Sequence, residues 1–221
     1  MYTFTTGRSG ATVSLIRHND RYCVSKTNIV NADKVVQAMS NCCMPTPAVY
    51  DYSENHIIME YLPGITVYDY LMNSDKHQLD YFINEIKRYI DNCIENSVHY
   101  DFKVEIEDKI KSTGVDVKFE KTVYPKSHIH GDLTFDNMVF YNDKLYFIDF
   151  NYTPLNSIYF DINKLRQDLD AFWFCRFNDN LDIRLRVNYI REKLYNEMFD
   201  DTVYKFMLSR ILPYVSGYDN D

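Results

Sequence analysis

No stretch of this 221-residue chain approaches the roughly 20 uninterrupted apolar residues that cross a bilayer, which excludes a helical membrane span. Its first ten residues, MYTFTTGRSG, lack the basic-then-apolar layout of a signal peptide, so the cytoplasm is the expected location. Cysteine is sparse and odd in number. Cys23, Cys42, Cys43, Cys93 and Cys175 lack the paired ligand spacing of a zinc site and are expected to be reduced, buried thiols. Positive charge is also short. With 24 Lys+Arg against 32 Asp+Glu the formal net charge is -8, which argues against a general nucleic-acid binder, whose affinity comes largely from cations on phosphates. Such an acidic excess suits ordinary solubility and would also draw in a cationic substrate. Internal repeats and low-complexity tracts are absent.

What is present is enough for a packed fold. At 46% hydrophobic and 16% aromatic content the chain can bury a sizeable core as one domain or two closely joined lobes. Residues 2–6, 11–17 and 21–27 are short runs rich in β-branched and aromatic side chains. Separated by Gly7-Arg8-Ser9-Gly10 and by His18-Asn19-Asp20, they read as three strands. Asn31-Ala32-Asp33 signals the start of a short helix, and 47–52 and 56–62 read as two more strands before Pro63-Gly64. Beyond Gly64 the period changes. Leu79, Phe82, Ile83, Ile86, Tyr89, Ile90, Cys93 and Ile94 recur along one helical face, and helices are expected again from Tyr159 to Leu212. Between them, strands 138–141 and 144–148 are joined by Asn142-Asp143 as a hairpin.

The densest chemical signal is His130-Gly131-Asp132-Leu133-Thr134-Phe135-Asp136-Asn137, followed across the hairpin by Phe147-Ile148-Asp149-Phe150. Phosphoryl transfer explains why these residue types occur together. That reaction needs little covalent help, so catalysis rests on positioning a nucleophile and neutralising the charge of a triphosphate with Mg²⁺. Magnesium takes oxygen ligands, which Asn137 and Asp149 can supply, leaving Asp132 to orient a hydroxyl and accept its proton.

These residues resemble the HGDxxxxN and IDF elements of aminoglycoside phosphotransferases, choline kinases and related small-molecule kinases, which share the protein-kinase fold. Protein kinases typically read H-R-D there, and serine/threonine kinases often carry lysine where this chain has Thr134. The resemblance implies an α+β, two-lobed protein-kinase-like fold. It places a small antiparallel-sheet nucleotide-binding lobe at 1–62 and a mainly helical catalytic and substrate-binding lobe at 63–221. It implies ATP as donor, with GTP left open, Mg²⁺ as cofactor and a small-molecule hydroxyl as acceptor.

Upstream, Gly7-Arg8-Ser9-Gly10-Ala11-Thr12-Val13 is similar to the GxSGATV turn of the aminoglycoside enzymes, so Gly7, Ser9 and Gly10 are expected at the phosphates. Lys26 resembles the strand lysine of these kinases that pairs with the α- and β-phosphates. Its usual glutamate partner is missing, since no glutamate lies between Lys26 and Glu54, and Asp33 stands nearest the expected position. Met59-Glu60-Tyr61-Leu62 resembles the linker between the lobes, where Glu60 and Leu62 would present backbone groups to adenine. After Asp149 the family has glycine at or near the second position, whereas this chain has Asn151. Phe160-Asp161-Ile162-Asn163-Lys164-Leu165 resembles a D-I-x-K-L segment whose aspartate braces the catalytic loop. The stretch through Leu169 is similar to predicted phosphotransferases of surface-polysaccharide biosynthesis, which points to a sugar or polyol. Aminoglycoside phosphorylation and a nucleotide-binding pseudokinase without turnover are the alternatives.

Overall fold

The computed structural model describes the backbone of residues 2–4 and all of 10–194 and 199–209. Strands β1 (Tyr2–Phe4), β2 (Thr12–His18), β3 (Arg21–Thr27), β4 (Val49–Ser53) and β5 (His56–Glu60) form one antiparallel sheet in the order β1-β2-β3-β5-β4. The turn between β2 and β3 is two residues long, with Asn19 and Asp20 at φ 48 and 63. Both residues tolerate the left-handed region, and that geometry matches the twist of the flanking strands. Helix α1 (Ala32–Asn41) crosses behind the sheet and buries Ala32, Val35 and Met39. Its N-cap is Asn31, as expected, but the asparagine is itself left-handed, at φ 58, and its side chain makes no capping bond. The Lys34 and Val35 N–H groups are satisfied by the Asn31 carbonyl instead.

After Glu60 the chain is mainly helical. A two-residue strand β6 (Ile65–Thr66) leads into α2 (Val67–Asn73) and the long α3 (Lys76–Glu95), started by a capping box between Asp75 and Gln78. Every apolar residue that defines the face of α3 is buried except Ile94, which is 42% exposed. β7 (Val98–Asp101), α4 (Lys103–Thr113) and β8 (Val123–Lys126) follow, then the hairpin β9 (Met138–Tyr141) and β10 (Lys144–Phe147). Asn142 and Asp143 both have positive φ, as a two-residue turn demands. Helices α5 (Ile158–Ala171), α6 (Leu181–Leu194) and α7 (Asp201–Ser209) complete the described chain.

Three strands differ from the helical reading beyond Gly64. β6 pairs with β9, and β7 pairs with β8 around α4. A two-residue strand leaves no period to read, and β8 places Pro125 opposite His99, a residue type that sequence patterns assign to edges or breaks.

One core runs through both parts. Val35, Met39, Ile57 and Met59 from the sheet side belong to the same buried cluster as Tyr89, Leu133, Phe135, Phe147 and Phe150. A smaller cluster of Phe102, Ile106, Tyr124, Phe160 and Phe206 ties α4, β8 and α7 to α5. Cys23, Cys93 and Cys175 are buried free thiols, whereas Cys42 and Cys43 are only partly covered. No helix among the described residues is long and apolar enough to cross a membrane.

Candidate active site

The segment 130–137 arrives at the cleft as a loop pinned from below by α5. Asp161, 1% exposed, accepts from the backbone N–H groups of His130 (2.8 Å) and Gly131 (2.9 Å) and from the Tyr89 hydroxyl (2.7 Å). Burial pushes its carboxyl above the usual range, and the hydrogen bonds it accepts oppose that rise. Two turns on, Asp168 accepts from the Phe135 N–H at 2.6 Å. Between them Lys164 places its ammonium 3.2 Å from Asp132 Oδ1. The positions 161, 164 and 168 lie on one helical face, so a single helix holds the loop at residues 130–132 and again at 135.

His130 is fully buried and ties the loop to the segment after β10. Its Nε2 lies 2.7 Å from the Ile148 carbonyl, which can only accept, so Nε2 carries the proton and Nδ1 accepts from the Asp132 N–H at 3.2 Å. The ring packs against Phe147 and Phe150. A backbone bond from the Asn151 N–H to the His130 carbonyl, 3.0 Å, completes the link.

Gly131 follows from that close approach. It has φ 83, and a Cβ built there would lie 2.0 Å from the Asn151 carbonyl oxygen. An arginine cannot occupy this position in this loop. Asn151 itself is not among the described residues with positive φ, whereas Asp149 is, at φ 58. The backbone after Phe150 therefore makes no conformational demand for glycine.

Asp132, Asn137, Asp149 and Lys26 come together. Asn137 Nδ2 donates to the Asp132 carbonyl (2.8 Å) and to Asp132 Oδ2 (3.3 Å), which leaves its Oδ1 without a hydrogen bond among the described residues. Lys26, 7% exposed, is ion-paired with Asp149 Oδ1. A cavity of about 330 Å³ opens over three of these groups. Lys26, Asn137 and Asp149 line it, with Val13, Val24, Met59, Val139 and Ile148 supplying aliphatic walls from both sides. Glu60 and Leu62 stand at its rim. The Glu60 N–H is spent on the Ala48 carbonyl at 2.8 Å, while that of Leu62 makes no hydrogen bond among the described residues.

Asp33 is not brought to this site. It is exposed in the first turn of α1 and makes no ion pair among the described residues. The carboxylate beside Lys26 is Asp149 instead. Gly10 precedes β2 with φ 77, and nothing lies within 4 Å of where its Cβ would be. Gly7 and Ser9 lie outside the described residues.

The donor set suits a hard cation held together with phosphate. No group of three or more His, Cys, Asp or Glu side chains that could hold a metal occurs among the described residues, so there is no all-protein cage. Asp149 Oδ2 and Asn137 Oδ1 are oxygen donors facing one cleft, and Mg²⁺ is commonly bound through one or two such groups plus phosphates and water.

The architecture is that of known enzymes. Over 99% of this chain it matches 86% of a protein in the ternary complex of streptomycin, ATP and APH(2")-IIa, at TM-score 0.60 and 15% identity. The chain has the protein-kinase-like fold of the small-molecule kinases. This kinase-like fold also covers 89% of the chain against 73% of a glucosamine kinase, at TM-score 0.53 and 13% identity. A choline/ethanolamine kinase family protein from Mesorhizobium loti matches over 99% of the chain and 81% of its own length, at TM-score 0.51 and 12% identity. No protein-family model and no curated protein sequence matches the chain. Within the kinase-like fold, Val139, Tyr89, Lys164 and Asp168 are the site residues to which sequence reading attached no role. The spacing of Asp161, Lys164 and Asp168 was a readable signal for the last two, because three polar residues share a face with buried apolar ones.

Replacing Gly131 with alanine combines a left-handed backbone with a clash against main chain, and should cost roughly 2–5 kcal/mol. A urea-denaturation midpoint unchanged from wild type would show that the Asn151 carbonyl can retreat.

Asp168 gives a pH signature. Burial pushes its carboxyl up to about 7, above the roughly 3.9 of an unfolded aspartate. The folded protein thus holds a proton that the unfolded chain lacks between those values. Stability from this group is complete below about pH 4 and is lost as pH rises through 7. Asp168→Asn keeps the acceptor for Phe135 and removes the titration. The melting temperature of the variant should therefore gain on wild type from pH 5 to pH 8, and parallel curves would exclude the assignment.

Proposed function

We propose that this protein is a kinase that transfers the γ-phosphate of ATP, with Mg²⁺, to a hydroxyl of a small metabolite. The observation that carries this reading is the convergence of Lys26, Asp149 and Asn137 on one cleft with aliphatic walls, with Asp132 held against Asn137 beside it. Adenine would lie between Val13 and Val24 on one side and Val139 and Ile148 on the other. At its edge the free Leu62 N–H is available as a donor, and any contact from Glu60 falls to its carbonyl. A cavity of about 330 Å³ is within the size range of small-ligand sites.

Lys26 would turn from Asp149 to the α- and β-phosphates, and Gly7, Ser9 and Gly10 would contribute backbone N–H groups to them. Asp149 and Asn137 would hold Mg²⁺, which offsets negative charge on the triphosphate. Asp132, part-exposed beside the cleft, would orient the acceptor hydroxyl and take its proton. Asp33 would have no direct part.

For the acceptor, the glucosamine kinase match supports a sugar or amino sugar, in line with a polyhydroxyl compound. The complex with streptomycin supports the aminoglycoside alternative equally on fold. No side chain in the cleft discriminates between them. The pseudokinase alternative rests on the missing helix glutamate; Asn151, which has no positive φ, adds nothing to it.

Two substitutions separate the roles. Asp132→Asn should lower transfer of labelled γ-phosphate to a panel of sugars and amino sugars by about 10²–10⁴-fold while Mg-ATP affinity stays within about twofold. Full transfer by this variant would remove Asp132 from the chemistry. Asp149→Asn should weaken Mg²⁺-dependent nucleotide binding, read by titration calorimetry, by tenfold or more in rough terms. An affinity that no longer differs from wild type once Mg²⁺ is present would argue against its role as metal ligand.

A further inference from the structure

Charge on the acceptor side of the cleft is unbalanced without help from outside the loop. The segment His130–Asn137 contains no lysine or arginine, yet it presents the Asp132 carboxylate to the point where a phosphoryl group would be attacked. A phosphoryl group carrying negative charge on its oxygens is repelled by a bare carboxylate a few ångströms away. On the donor side, Lys26 and the cation held by Asn137 and Asp149 are available to offset that charge. The acceptor side has Asp132 alone among the groups so far given a role.

The cation there comes from α5. Lys164 has a side chain only 13% exposed and an ammonium 3.2 Å from Asp132 Oδ1, and it makes no other ion pair or hydrogen bond among the described residues. An ammonium carries three N–H donors, so Lys164 keeps donor capacity beyond its pairing with the carboxylate. Arg176, the other cation near the loop, is committed: it pairs with Asp136 at 3.4 Å, donates to the Trp173 carbonyl at 2.7 Å and stacks on the Trp173 ring. The backbone of α5 is in turn fixed against the loop by Asp161 and Asp168, so Lys164 is held at the attacking end by contacts on both sides of it.

Resting on the kinase reading above, we infer that Lys164 is a catalytic residue whose ammonium contacts the transferring phosphoryl group on its acceptor side. In the step it serves, the acceptor oxygen forms a bond to the γ-phosphorus as the bond from that phosphorus to the β–γ bridging oxygen breaks. The hydroxyl proton passes to Asp132, and the electron pair of the broken bond stays on the β-phosphate of ADP. As Asp132 is neutralised it releases its hold on Lys164, while charge is spread over the oxygens of the moving group. The ammonium then has its strongest partner where the charge has gone, which is the condition for stabilising a transition state more than a ground state.

The test needs no knowledge of the acceptor. Affinity for Mg-ADP is measured alone and with aluminium fluoride, whose planar complex imitates the moving phosphoryl group, for wild type, Lys164→Met and Lys164→Arg. Melting temperature is followed in parallel. The methionine variant should bind Mg-ADP within about twofold of wild type and lose at least roughly tenfold of the extra affinity that fluoride brings; removal of one such donor costs about 10²–10³ in rate in other enzymes. The arginine variant should recover most of it. Equal fluoride-dependent gains in wild type and Lys164→Met would overturn the assignment. So would a methionine variant whose Mg-ADP affinity and melting temperature fall together, since that marks a residue that merely holds the loop. Wild-type protein that binds no Mg-ADP at all would instead bring down the kinase reading, and this proposal with it.

Discussion

A buried carboxylate holds the candidate site together. Asp161 is almost wholly removed from water, and an unpaired charge there would cost several kcal/mol. The compensation comes from main-chain N–H groups of His130 and Gly131 and from the Tyr89 hydroxyl, itself buried on α3. These donors are aligned only when 130–131 adopts its observed path. The energetic need of one side chain to be solvated by protein therefore fixes the backbone of the loop, and Asp168 repeats the device at Phe135. Because α5 also packs Ile162, Leu165 and Leu169 into the main core, the precision of the loop is inherited from ordinary hydrophobic packing.

That dependence explains what was legible in the sequence and what was not. The order of elements was readable because it is local: alternating strands, a two-residue turn of asparagine and aspartate, one long amphipathic face on α3. Asp132, Asn137 and Asp149 were readable as a set because their chemistry restricts their spacing. Gly131 was legible as a motif but not as a necessity, since the Asn151 carbonyl that excludes a side chain comes from a segment twenty residues on. β7 and β8 were missed because their pairing spans α4, and because the proline in β8 weakens its own signal. The aliphatic walls of the cleft are distributed over four strands and carry no motif, so Val139 looks in sequence like any strand valine.

The partner of Lys26 is the most instructive case. Sequence reading searches for a carboxylate on the helix that follows, finds no glutamate, and settles on Asp33 by counting. Burial gives a different criterion. A lysine that is 7% exposed needs a counter-charge within contact distance, whichever element provides it. Asp149 meets that need from 123 residues away. Proximity in the fold outranked proximity along the chain.

This pairing also constrains how the cleft could work. Lys26 and Asp149 neutralise each other in the cleft. Binding Mg-nucleotide would break that one pair and create two better-matched contacts, ammonium to phosphate and carboxylate to metal. Asp132 and Lys164 form a second ion pair beside the cleft. Two ion pairs thus balance charge within the site, and on the proposed function each would open when the species it acts upon supplies the compensating charge.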